Sequence, residues 1–189
     1  MMIDIADATE RMVSLLTSVS EDQFDLPTPC PDARLGDLVD HVGTFATGFT
    51  DVAHKEGRGG PTRPSFTNLE AGWRDRITRH LRMCADAWRH PEAWEGTTVA
   101  AQVELPAEVA GLVVLDELIV HGWDIAVSTG QPYDASVAEI EAASSFVASF
   151  DAPRDGNLFG PVVSVPDSAP PLDRLLGLTG RDPSWRPPA

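Results

Sequence analysis

Apolar residues recur along this chain at steps of three and four, and each such stretch predicts an amphipathic helix with one buried face. Over residues 4–19, Ile5, Ala8, Met12, Leu15 and Val19 keep the spacing while Asp4, Asp7, Glu10 and Arg11 fall outside it. Ser20 to Pro31 is a connection, and Asp32 is the expected N-cap of a second helix. In that helix Leu35, Leu38, Val42, Phe45, Phe49 and Val52 alternate steps of three and four, the pattern of bundle packing. A third helix, from about Leu69 to Arg89, aligns Trp73, Ile77, Leu81, Cys84 and Trp88. Thr97 to Leu105 suits a short strand or hairpin. A further bundle helix over 135–150 carries Val137, Ile140, Ser144, Val147 and Phe150 in register.

The stretch from Pro106 to Thr129 differs. It reads as one long helix, with proline at its start and Gly130 as its stop. Apolar residues cover nearly all its faces between Val109 and Val127, which marks a helix buried in the middle of the fold. Yet it carries Asp116, Glu117, His121 and Asp124, and no Lys or Arg. A charge buried without a partner costs several kcal/mol or neutralises, so these groups need pairing or a metal. Glu117 and His121 are helical neighbours, and Asp124 lies about 20° around the axis from Glu117. His41 stands beside the apolar seam of the second helix, four residues after Asp37. One carboxylate and two imidazoles make a three-ligand set of the catalytic zinc type. The other reading of the same residues is a buried Glu–His pair that ties two helices together. His80 flanks the third helix among arginines, where a solvent-facing role is the plainer expectation.

The 189 residues suit a single domain, 1–189, with 42% hydrophobic and 23% charged positions. A net charge of −15 argues against nucleic acid and against anionic membrane surfaces. No apolar run reaches the length of a membrane span, and the N-terminus lacks the basic and apolar regions of a signal peptide. Two isolated cysteines, Cys30 and Cys84, suggest no disulfide framework. A cytoplasmic protein with reduced thiols is expected. Lys55 to Asn68 is rich in Gly, Pro and Arg. It is a solvated surface loop, or a flap carrying Arg58 and Arg63 over a pocket where they meet a carboxylate. From 151 onward the chain holds eight of its 16 prolines, so residues 150–189 are expected as an extended tail with a short helix over Leu172–Leu178. Phe159, Val162, Val163, Val165, Leu175 and Trp185 make it apolar enough to pack on the helices. No phosphate-binding glycine loop and no Gly-x-Ser-x-Gly elbow occurs.

Thr28-Pro-Cys-Pro-Asp32, Asp37-Leu-Val-Asp-His41 and Glu117-Leu-Ile-Val-His-Gly-Trp-Asp-Ile-Ala-Val-Ser-Thr-Gly-Gln-Pro132 together resemble the mycothiol-dependent maleylpyruvate isomerase N-terminal-like proteins of the DinB-like metal-binding superfamily. The closing segment, Pro161 to Trp185, resembles the end of a stand-alone actinobacterial subfamily. The resemblance implies an all-α fold, an up-down-down-up four-helix bundle, here with a short irregular or β insertion and the Pro-rich tail packed on it. It also implies a divalent metal, commonly zinc, with nickel or another ion as a substitute. The family's first metal-ligating histidine falls on His41, and its Glu-x-x-x-His pair on Glu117 and His121. Two departures stand out: Ala33 and Arg34 occupy positions where similar sequences place Trp and then Ser or Thr, and the sterol-carrier-like domain of the isomerase itself is not in this sequence.

The expected function is therefore a metal-dependent transferase or isomerase that uses a low-molecular-weight thiol, mycothiol, on a small electrophilic substrate. Its catalytic residues stay unassigned, and Asp37 and Asp124 are expected to orient the histidines. Small molecules are the expected partners, with the oligomeric state open. The rival expectation is a non-catalytic metal-binding sensor or stress-response accessory protein.

Overall fold

The structure, a computed structural model, describes residues 2–31, 33–57, 63–149, 154 and 159–188. Among these residues it is mostly helical, with six α-helices and one two-stranded sheet. Helix α1, Ala6–Thr17, buries Ala8, Met12, Leu15 and Leu16 on the face that the spacing predicts. Helix α2, Leu35–Ala53, buries Leu35, Leu38, Val42, Phe45 and Val52 and leaves Phe49 half-buried. It begins later than expected. Asp32 lies outside the described residues, and Arg34 occupies the N-cap with an extended backbone. The preceding loop is held back from helix by a bridge between Pro27 and Arg34 and by the Thr28 hydroxyl, which donates to the Ala33 carbonyl at 2.8 Å.

Helix α3, Trp73–Trp88, buries all five residues of its expected face. It starts after a 3₁₀ turn at Phe66–Asn68, because Gly72 turns into the left-handed region (φ 77°) at its N-cap. Strands β1, Thr97–Ala100, and β2, Val103–Pro106, pair antiparallel with Thr97 opposite Pro106. Their two-residue turn places Ala101 and Gln102 at φ 49° and 68°, the twist a tight hairpin needs. The Thr98 hydroxyl ties the hairpin to the end of α2 by donating to the Val52 carbonyl at 2.8 Å.

Helix α4, Ala107–Thr129, is the central element: it packs against α1, α2 and the following helix α5, Val137–Ser149, while α3 packs against α1 and α2. Pro106 caps its start, and Gly130 ends it in the left-handed conformation (φ 71°). Trp94 seats on α4 at Gly111, where an added Cβ would enter the indole ring. The Trp94 indole N–H donates to the Trp88 carbonyl at 2.7 Å, and the Trp88 N–H to Phe49 at 3.0 Å, so two aromatics pin α2, α3 and α4 together.

The core face of α5 is Ile140, Ala143, Phe146 and Val147; Val137, expected in register, is exposed at the helix start. Phe150 lies outside the described residues. Helix α6, Pro171–Leu178, packs on α5 and buries Leu175 and Leu176. Phe159 is buried against Phe146, Val163, Val165 and Trp185 are half-buried, and Val162 is exposed, contrary to expectation. No described helix is long and apolar enough to cross a membrane.

Candidate metal centre

Helices α2 and α4 cross with His41, Glu117 and His121 between them. The Glu117 Oε2 atom lies 3.0 Å from His41 Nε2 and 3.1 Å from His121 Nε2. The two imidazole centroids are 4.9 Å apart and nearly perpendicular, at 84°. One ligand atom from each of the three residues lies within 4.8 Å of the others, and no described cysteine joins them. The side chains keep 32%, 15% and 13% exposure for His41, Glu117 and His121, so the cluster is half-open to solvent.

A second layer stands behind His121. Its Nδ1 atom lies 3.0 Å from Asp124 Oδ2. Asp124 is fully buried and accepts from Arg181, Nη2 to Oδ2 at 2.9 Å and Nε to Oδ1 at 3.2 Å. Burial by itself would raise the Asp124 pKa, but the His121 hydrogen bond and the Arg181 charge hold it below the usual carboxylate range. Burial likewise opposes ionisation of Glu117; the two imidazoles overcome it and hold its carboxyl well below the ordinary value. His121 shows the reciprocal effect. Burial disfavours its charge, yet Glu117 and Asp124 push its pKa up to about 10. Its ring thus carries protons on both nitrogens at neutral pH and donates to a carboxylate at each end.

Asp116 is the exception. It is buried, its Oδ1 atom has no hydrogen-bond partner, and burial next to the Glu117 charge pushes its pKa up to about 8. Its carboxyl is mainly neutral at pH 7.

The other expected site residues are placed as follows. Asp37 serves the backbone and does not meet a histidine: its Oδ2 accepts from the Arg34 N–H at 3.2 Å and its Oδ1 from the Phe66 N–H at 2.9 Å. It stands at the third position of α2, where a carboxylate closes the helix start. Arg58 lies outside the described residues; Arg63 is exposed, and Ser65, two residues on, donates its N–H to Asp40 at 2.9 Å. His80 lies 2.9 Å, through Nδ1, from the Thr47 hydroxyl, on a surface cavity of about 450 Å³ between α2 and α3. Cys30 is half-buried; Cys84 is buried, and that burial pushes its thiol up to about 12.

Arg181 carries no periodic signal, but a turn signal precedes it. Gly180 sits after α6 with φ 88°; its N–H donates to Gly177 at 3.1 Å and the Arg181 N–H donates to Leu176 at 2.8 Å. These are the two bonds of a Schellman cap, which needs glycine at that place. The cap turns Arg181 toward α4.

Residues 5–126 match the family model described as the mycothiol maleylpyruvate isomerase N-terminal domain. The chain belongs to this family. The matched segment contains His41, Glu117, His121 and Asp124 and ends before Arg181. Two curated Mycobacterium tuberculosis proteins, from strains CDC 1551 / Oshkosh and ATCC 25618 / H37Rv, are each 28% identical over 184 residues, 92% of this chain and 93% of their own length. Both are described only as uncharacterized proteins. No solved structure matches the chain.

Proposed function

We propose that His41, Glu117 and His121 hold a divalent metal ion, zinc foremost, and that the protein is a metal- and thiol-dependent transferase or isomerase acting on a small electrophile. The supporting observation is the convergence of two imidazole nitrogens and a carboxylate oxygen from two helices on one half-open point. The donor set fits. Two nitrogens and one oxygen are what zinc takes in sites that keep a position free for a further ligand. Glu117, ionised by its neighbours, supplies a negative charge. A bound divalent ion would lower the pKa of a thiol and favour the nucleophilic thiolate at neutral pH.

The chain's own groups have separate tasks in this reading. Asp124 holds His121 through Nδ1, which fixes the ring and directs Nε2 to the centre. Loading the site takes the proton from His121 Nε2. Val114, Leu118 and Ile125 of the same helix are buried, so the segment that carries Glu117 and His121 is anchored in the core. Mycothiol is the proposed thiol on the strength of family membership. In the fold that goes with this function, α1 to α4 make the DinB-like up-down-down-up bundle of a single domain.

Metal analysis and thiol titration test the reading. Wild-type protein stripped with a chelator should take up one equivalent of zinc or cobalt, and a low-molecular-weight thiol should change the cobalt absorption spectrum. Metal uptake without any response to thiol supports the non-catalytic sensor instead. Absence of metal uptake reduces the trio to a structural pair of ion bridges.

A further inference from the structure

Asp124 is fully buried, and its two oxygens accept three hydrogen bonds: His121 Nδ1 and Arg181 Nη2 on Oδ2, and Arg181 Nε on Oδ1. α4 contains no Lys or Arg. The guanidinium that pairs with Asp124 comes from the tail, 57 residues later and beyond the family-matched segment. We propose that Arg181 is a positioning residue of the metal centre, so that the α6 segment is a working part of the site and its docking is coupled to metal binding. This rests on the metal reading above.

A guanidinium is a planar fork, and gripping both carboxylate oxygens fixes the plane of the carboxylate as well as its charge. With that plane fixed, Oδ2 faces His121 Nδ1 and the imidazole is held with Nε2 3.1 Å from Glu117 Oε2. Without Arg181, Asp124 keeps a buried oxygen with no donor. A carboxylate in that state rotates toward another donor or takes up a proton, and either leaves His121 without its fixed acceptor. Arg181 in turn is placed by the turn that caps α6, and α6 by its packing on α5. The chain of contacts runs from the tail to the ligand without a gap. By reciprocity, whatever the docked tail adds to metal affinity, the metal adds to tail docking.

The test uses the full chain. Zinc affinity is measured by competition with a chromogenic chelator for wild type, Arg181→Met, Arg181→Lys and the double variant Arg181→Met/Asp124→Asn. The double variant removes the unpaired buried charge and stays informative should Arg181→Met not fold. Arg181→Met and Arg181→Lys should each weaken zinc binding about tenfold or more, the usual cost of losing an outer partner of a ligating histidine. Zinc should slow amide exchange over residues 175–181 in wild type and not in Arg181→Met. Zinc binding as tight as wild type in Arg181→Met, or in the double variant where the single one fails to fold, overturns the proposal. Wild-type affinity in Arg181→Lys overturns it too, because charge alone would then suffice. Failure of wild type to bind zinc is a different result: it removes the metal reading before any variant is compared.

Discussion

His41 Nε2 and Glu117 Oε2 meet at 3.0 Å although 76 residues separate them in the chain. Nothing local brings them together; the packing of α2 on α4 does. Replacing His41, Glu117 or His121 by Ala should each reduce zinc uptake from one equivalent to a small fraction at micromolar metal, measured by elemental analysis after gel filtration. In metal-free protein Glu117→Ala should also lower the melting temperature, because it leaves His121 with a proton on Nε2 and no acceptor.

Metal binding should depend on pH with a definite sign. His121 holds its proton up to about pH 10 in the metal-free site, so loading releases a proton throughout the neutral range. The apparent zinc affinity should rise about tenfold per pH unit for one proton released. Calorimetry in buffers of different ionisation enthalpy counts that proton directly; an affinity flat from pH 6 to 8 contradicts it.

Asp116 predicts a stability difference. Its folded pKa of about 8 lies above the value of about 3.9 for an unfolded aspartate, so the native state keeps a proton the unfolded chain has lost. Stability then falls as pH rises from about 4 to 8 and levels off above that. In chelator, Asp116→Asn should match wild type near pH 4 and exceed it at pH 8.5 by several kcal/mol at most, since each unit of pKa shift is worth about 1.4 kcal/mol and Asn has no charge to bury. Urea denaturation at both pH values decides it.

Gly122 follows His121 and lies under Tyr133. A Cβ there would come within 2.9 Å of the Tyr133 ring and 3.0 Å of its hydroxyl, which donates to the Ile119 carbonyl at 2.9 Å. Gly122→Ala should therefore cost about 1–3 kcal/mol in denaturant unfolding through overpacking and the lost hydrogen bond. Combined with Tyr133→Phe, the two losses should add to less than their sum, because they share one contact.

The cysteines should separate cleanly by reactivity. Iodoacetamide at pH 7.5 should label Cys30 in the folded protein and reach Cys84 only in denaturant, since burial holds the Cys84 thiol in its protonated form. Changing both to Ser should leave zinc uptake intact.

Helix faces were legible in the sequence wherever burial follows a local period. The five apolar positions of α3 are an example, and Glu117, His121 and Asp124 fall on one stripe because their spacing is local. His41 is different: its place beside the apolar seam of α2 makes it a candidate, but its pairing with Glu117 comes only from the packing of α2 on α4. Asp37 has the four-residue spacing to His41 that suggests a partner and also the third-position placing of a helix cap, and the backbone donors of Arg34 and Phe66 decide for the cap. Arg181 was out of reach because a turn and the docking of α6, rather than any repeat, deliver it. The start of α2 was missed because loop hydrogen bonds around Thr28 outweigh a good capping residue.

The ion pair between Asp124 and Arg181 also sets an order of events during translation. At about 5–20 residues per second, the ribosome adds Arg181 roughly 3–11 s after Asp124. Through that interval a nascent α4 holds a carboxylate meant for a dry interior with only His121 to meet it. The growing polypeptide therefore has reason to keep this end of α4 hydrated until the tail arrives. The environment of Asp124 is thus completed late, by the segment that carries Arg181.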